Sequence, residues 1–249
     1  MISIKNAMEI AKITKSCEIL AQVKEVIYDL IKPGISLKEL DTIAFKEIKK
    51  RGGEPAFLGY YGFPATICAS LNEELIHGIP DNRTLQEGDI ISIDMGVIYE
   101  GYYSDSAFTK GVGKISQTDQ KLIDVAKNAF YAGLNAIKPG ARIGDIEHAI
   151  GQYIKNQGLY TTYDFAGHGI GRKLHEDPTI FNDGIKGKGA LLRDGMVICI
   201  EPMILQDSSK TFIKKDGWTV VASSRKNASH YEHTILIKDG YPIVLTGGI

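Results

Sequence analysis

"IKPGISLKELDTIAFKEIKKRGG", residues 31–53, and "IKPGARIGDIEHAIGQYIKNQGL", residues 137–159, are one pattern written twice. The IKPG openings, the triplets ELD (39–41) and DIE (145–147), and the later IK pairs fall in register. A second correspondence follows, EGDIISID (87–94) over DGMVICIE (194–201), with an offset one residue longer. In each copy the proline cannot continue a preceding helix, so the pattern predicts a long helix, a break, a second helix and then strands. The first helix is expected over roughly residues 4–31, with Met8, Ala11, Leu20, Val23, Ile27 and Leu30 at helical spacing. SLKE (36–39) reads as a capping box for the second. ISIDMGVIYEGYYSDSAFT (91–109) alternates on either side of a Glu-Gly turn, which predicts an antiparallel hairpin. No linker-like or low-complexity segment divides the chain. The expectation is one α+β domain over residues 1–249, built from two pseudo-symmetric halves of about 1–110 and 111–249.

The composition limits the function classes. With 29 Lys and Arg against 30 Asp and Glu, the net charge of −1 gives no global attraction to nucleic acid or to an anionic membrane. The apolar runs are strand-length, far short of the ~20 residues that span a bilayer. The opening MISIKNAMEI has no basic stretch followed by an apolar core, so a soluble cytoplasmic protein is expected. Cys17, Cys68 and Cys199 are widely spaced and fit reduced, buried thiols better than a disulfide framework or a zinc cage.

The repeat places Asp94 and Glu201 at equivalent strand ends. An acid inside a strand of Ile and Val is costly to bury unless it is paired or bound to metal. Asp105 stands on the expected hairpin partner of Asp94, and Glu232 interrupts another strand in SHYEHTILI (229–237). Any one of these could be an ion-paired core acid; four together are harder to explain that way. AGHGIGRKLHEDP (166–178) adds His168. This glycine-rich stretch has three readings. A phosphate loop lacks the parallel strand–helix–strand context that such loops need. A surface turn explains the glycines but not both His168 and His175. In the third, the glycines let the backbone pass close to a metal site that one histidine ligates and the other overlooks. Two Asp, two Glu and one His form an oxygen-rich set suited to a pair of divalent first-row ions, whose charge would balance the four carboxylates.

Taken in this order, HGIPD with His77, IDMG followed by SD, GHGIGRKLHEDP, IEPMI and YEHTILI resemble the type I methionine aminopeptidases, in the creatinase or pita-bread fold group. The likeness covers essentially the whole chain. Single pieces are shared with Xaa-Pro peptidases. LNEELIHGIP, Trp218 in KDGWT, the chain length and the lack of a cysteine-rich N-terminal extension point to the short bacterial methionine form. The resemblance implies a pita-bread fold, its two helix-helix-strand halves arranged around a curved antiparallel sheet. It implies that Asp94, Asp105, His168, Glu201 and Glu232 hold two divalent ions (Co, Mn, Fe(II) or Zn), Asp105 and Glu232 bridging them. His77 and His175 would contact the peptide at the scissile bond, with Glu201 as the proton carrier. Tyr60, Phe63, Cys68, Trp218, Phe57 and Leu174 would wall the methionine pocket. Gly96 stands where some members carry Thr, and Ser104 where Gly is common. The implied activity is removal of the N-terminal methionine from peptides and nascent chains, with a small second residue preferred. The implied partners are those chains, met at the ribosome, for a monomer with no membrane or sequence-specific nucleic-acid partner. An Xaa-Pro dipeptidase or aminopeptidase and a non-catalytic binding protein on the same fold are the alternatives.

Overall fold

A computed structural model describes residues 2–248. Its first helix, α1 (Ala7–Leu30), starts three residues later than the apolar spacing suggests, because Asn6 closes it. The Asn6 side chain accepts from the Glu9 N–H at 3.0 Å, and the Glu9 carboxylate accepts from the Asn6 N–H at 3.0 Å. Met8, within the first turn, faces solvent, and the buried stripe runs through Ile13, Cys17, Leu20, Val23, Lys24 and Ile27. The helix α2 (Leu37–Lys50) carries the capping box read at Ser36 and Glu39. The second pair is α3 (Gln117–Asn135), capped by Ser116, and α4 (Ile143–Asn156).

The strands preceding α3 are β1 (Glu54–Pro55), β2 (Ile67–Leu71), β3 (Glu74–Ile76), β4 (Ile90–Tyr99) and β5 (Tyr102–Gly111). After α4 come β6 (Gly167–Gly169), β7 (Glu176–Ile180), β8 (Val197–Ile200), β9 (Met203–Ile204) and β10 (Thr211–Ile213). The last are β11 (Val220–Ala222), β12 (Ser229–His230), β13 (Glu232–Lys238) and β14 (Tyr241–Val244). A nine-stranded sheet runs β1-β4-β5-β13-β8-β6-β7, with β2 on β4 and β14 on β13. A three-stranded sheet, β10-β11-β3, and the pair β12-β9 complete it. Every strand pairing is antiparallel, as short hairpin connections allow and a phosphate-binding βαβ unit would not.

Period-two alternation gives the large sheet two different faces. Ile93, Phe108, Ile198 and Ile235 point to a core shared with Ile27, Leu40, Phe130 and Ile150 of the four helices. Each such side chain is worth roughly 1.5–3 kcal/mol when fully buried. Their neighbours in sequence, Asp94, Ala107, Cys199 and Thr234, take the opposite face. The core face is tied to α1 by Lys24, whose buried ammonium donates to Ser106 Oγ (3.1 Å), on the same face as Phe108, and to the Thr246 carbonyl (3.0 Å). No helix among the described residues is long and apolar enough to cross a membrane.

Candidate active site

Five neighbouring strands of the large sheet each bring one donor to a common point: β4 Asp94, β5 Asp105, β13 Glu232, β6 His168, and β8 the Glu201 that immediately follows it. Ala107 of β5 is the direct cross-strand neighbour of both Asp94 and Glu232, so these acids flank one small side chain. Asp105 lies two residues from Ala107 on the same strand. His168 Nε2 stands 3.6 Å from Glu201 Oε1 and 3.8 Å from Asp105 Oδ2. Its Nδ1 pairs with the Gly169 carbonyl at 2.9 Å, which fixes the proton on Nδ1 and leaves a lone pair on Nε2. A side chain at position 169 would put its Cβ 2.1 Å from the Asp177 carbonyl oxygen, so glycine there lets the strand carrying His168 close on its neighbour.

All four carboxyls are pushed above the ordinary carboxylate range, in each case first by burial. Crowding adds to this: Glu232, Asp94 and Glu201 raise Asp105, Asp94 raises Glu201, and Glu201 and Asp94 raise Glu232. Burial holds His168 neutral, with its pKa lowered to about 3. Asp94 Oδ1, Asp105 Oδ1 and Glu232 Oε1 are buried without a hydrogen-bond partner. Buried acceptors normally find partners, and like charges this close repel. Cations at this point answer both problems, so the donor set fits divalent metal. Donor atoms of Asp94, Asp105 and Glu232 lie within 4.8 Å of one another, as do those of Glu201, His230 and Glu232 and those of His168, Cys199 and Glu232.

Beside these acids is a cavity of about 330 Å³. Phe57, Tyr60, Phe63, Cys68, Leu174 and Trp218 line it, together with His77, His175 and the four acids. His168 is reached from a neighbouring groove that also includes His175. The Phe63 and Trp218 rings meet edge-on at 5.1 Å. Burial pushes the Cys68 thiol well up, which leaves it an apolar wall rather than a nucleophile. The small sheet supplies the opposite side, with Trp218 in the turn between β10 and β11 and His77 just after β3. His77 has φ +58°, the left-handed region that few non-glycine residues enter, and burial lowers its pKa to about 4. Gly96 faces Asp105 across the hairpin, and a Cβ there would meet Ala56, Phe57 and the Ser104 carbonyl at 2.9 Å. Ser104 turns its hydroxyl to Ser16 Oγ, 2.9 Å away in α1.

Two residues of the site escaped the reading of the sequence. Tyr61 adds a ring to the cavity wall. His230 is 1% exposed, with Nε2 3.4 Å from Glu201 Oε2 and neither ring nitrogen hydrogen-bonded. The signal for His230 was the alternation of SHYEHTILI itself, since a residue two before Glu232 shares its face.

The sequence matches metallopeptidase family M24 over residues 11–239. It is 46% identical over 245 residues to methionine aminopeptidase 1 of Bacillus subtilis, covering 98% of this chain and 99% of that protein. The fold superposes on the crystal structure of methionine aminopeptidase from Thermotoga maritima with a TM-score of 0.97 and 38% identity, covering 100% of both chains. Prolidase from Pyrococcus furiosus is also similar, at TM-score 0.80 and 25% identity, but this chain spans only 66% of it. Full-length correspondence on both sides separates the first two matches from the third, and with the pita-bread sheet, the acids and the apolar cavity it shows that the chain belongs to the methionine aminopeptidases of metallopeptidase family M24.

Proposed function

We propose that the chain removes N-terminal methionine by hydrolysis at two divalent ions held by Asp94, Asp105, His168, Glu201 and Glu232. Asp105 and Glu232 would bridge the pair. The observation that carries this reading is the junction of two unlike surfaces: crowded carboxyls with three orphaned oxygens meet a cavity walled by aromatic rings, Leu174 and Cys68. An unbranched thioether suits such a wall, since sulfur against a ring is favourable by about 0.3–1.5 kcal/mol.

When bound, the ions would acidify a water toward neutrality and polarise the scissile carbonyl. The chain's own groups do the rest. Glu201 takes the proton of the attacking water on a carboxylate oxygen and returns it to the leaving amine. His175, at the cavity mouth, donates to the carbonyl oxygen as it gains negative charge. His77 holds the scissile amide in line. Both histidines line the cavity beside the acids, and held close over the bond they would favour a small second residue. The substrates are peptides and nascent chains that begin with methionine.

Met-Ala-Ser and Ala-Pro assayed side by side test the reading. Turnover of the first and none of the second is the expected result. Preference for Ala-Pro would replace it with an Xaa-Pro peptidase.

A further inference from the structure

We propose that His230 is a sixth donor of this centre, sharing one ion with Glu201 and Glu232 through Nε2; the inference rests on the metal reading above. The backbone argues for it first. Tyr231 packs on Phe130 in the core, so its neighbours His230 and Glu232 both turn to the acidic face. The cross-strand neighbour of His230 is Met203, two residues beyond Glu201, which brings the strand carrying His230 alongside the segment carrying Glu201.

The contacts of His230 divide sharply between main chain and ring. Its N–H donates to Thr109 Oγ1 at 2.9 Å, and its carbonyl accepts from the same hydroxyl at 2.8 Å. The main chain is thus clamped. The ring, 1% exposed, has no hydrogen bond at Nδ1 or Nε2. A buried imidazole with both nitrogens unpaired is costly unless something else occupies it. Donor atoms of Glu201, His230 and Glu232 lie within 4.8 Å of one another. Nε2 is 3.4 Å from Glu201 Oε2, about the separation of two donors that each lie ~2.1 Å from one tetrahedral ion. A plain hydrogen bond to Glu201 would bring the pair closer and would leave the Glu232 oxygen orphaned.

Cobalt(II) alone is the probe. The full chain, stripped and then saturated with cobalt(II), is examined by NMR for solvent-exchangeable imidazole N–H resonances shifted by the paramagnetic ion. Two are expected, one lost in His168→Gln and the other in His230→Gln. Cobalt(II) affinity should fall at least about tenfold in His230→Gln. The unfolding midpoint of each metal-free variant is read beside it, and the count of resonances in the unaltered chain stands even if a variant fails to fold. One resonance in cobalt-loaded unaltered chain, or two that both survive in His230→Gln, would overturn the assignment while leaving the metal centre in place. A native chain that takes up no cobalt would overturn both readings, and elemental analysis separates that result from the others.

Discussion

The Tyr60 hydroxyl and His175 Nδ1 form a hydrogen bond of 2.9 Å across the mouth of the cavity, between residues far apart in the chain. With the hydroxyl donating, Nδ1 is occupied and the ring proton stays on Nε2, the nitrogen free to meet a substrate oxygen. Tyr60→Phe should lower kcat by roughly 10-fold, the lower end of what a partner that orients a functional imidazole contributes. Metal content should not change. Steady-state kinetics with elemental analysis checks both, and loss of metal in this variant would place Tyr60 in the centre rather than beside it.

The two histidines of the 166–178 stretch should separate in function, although their rings meet edge-on at 4.3 Å. His168→Ala is expected to weaken metal binding, since it removes an imidazole whose Nε2 stands 3.6 Å from Glu201 and 3.8 Å from Asp105. His175→Ala should keep its metal and lose about 100-fold or more in kcat, the scale of one lost donor to a developing oxyanion. KM should move less, because that bond strengthens mainly in the transition state. The reverse pattern of metal loss would exchange the two assignments.

Glu201→Gln should lower kcat by at least about 100-fold, the contribution of a positioned acid–base group. Metal stoichiometry has to accompany the kinetics because the same carboxylate is a proposed ligand. A variant that keeps its metal and turns over normally would exclude Glu201 as the proton carrier.

Much of this site could be read in the sequence because its physics is local. An acid in a run of β-branched residues stands out, and the Glu-Gly turn gives the register that sets Asp94 and Asp105 on one hairpin. The capping box at Ser36 was legible for the same reason. What stayed hidden depended on residues distant in sequence. The start of α1 is the local exception: the Asn6–Glu9 cap begins the helix later than the apolar spacing alone would place it. A histidine two residues before a conspicuous glutamate reads in sequence as an ordinary core residue; only the folded chain reveals that the His230 ring is unpaired. Cys199 likewise acquires meaning from its place opposite Thr234, two residues before Glu201.

Lys24 offers a test of stability against pH. Burial pushes its pKa down from 10.5 to about 8. Between those values the unfolded chain holds a proton that the folded chain has released, so stability rises as pH climbs from 8 to 10.5 and is lost as pH falls back. Relative to Lys24→Met, the native chain should gain up to about 3 kcal/mol across that window. Urea unfolding of both proteins at several pH values measures it, and parallel curves would show that Lys24 is not desolvated as described.

The central claim is that four acids and His168, gathered from five strands, act through two divalent ions. Chelator-stripped protein titrated with manganese(II), followed on Met-Ala-Ser, tests it most directly. Activity should be abolished by stripping and return with added metal, levelling at two ions per chain; full turnover by exhaustively stripped protein would contradict the account.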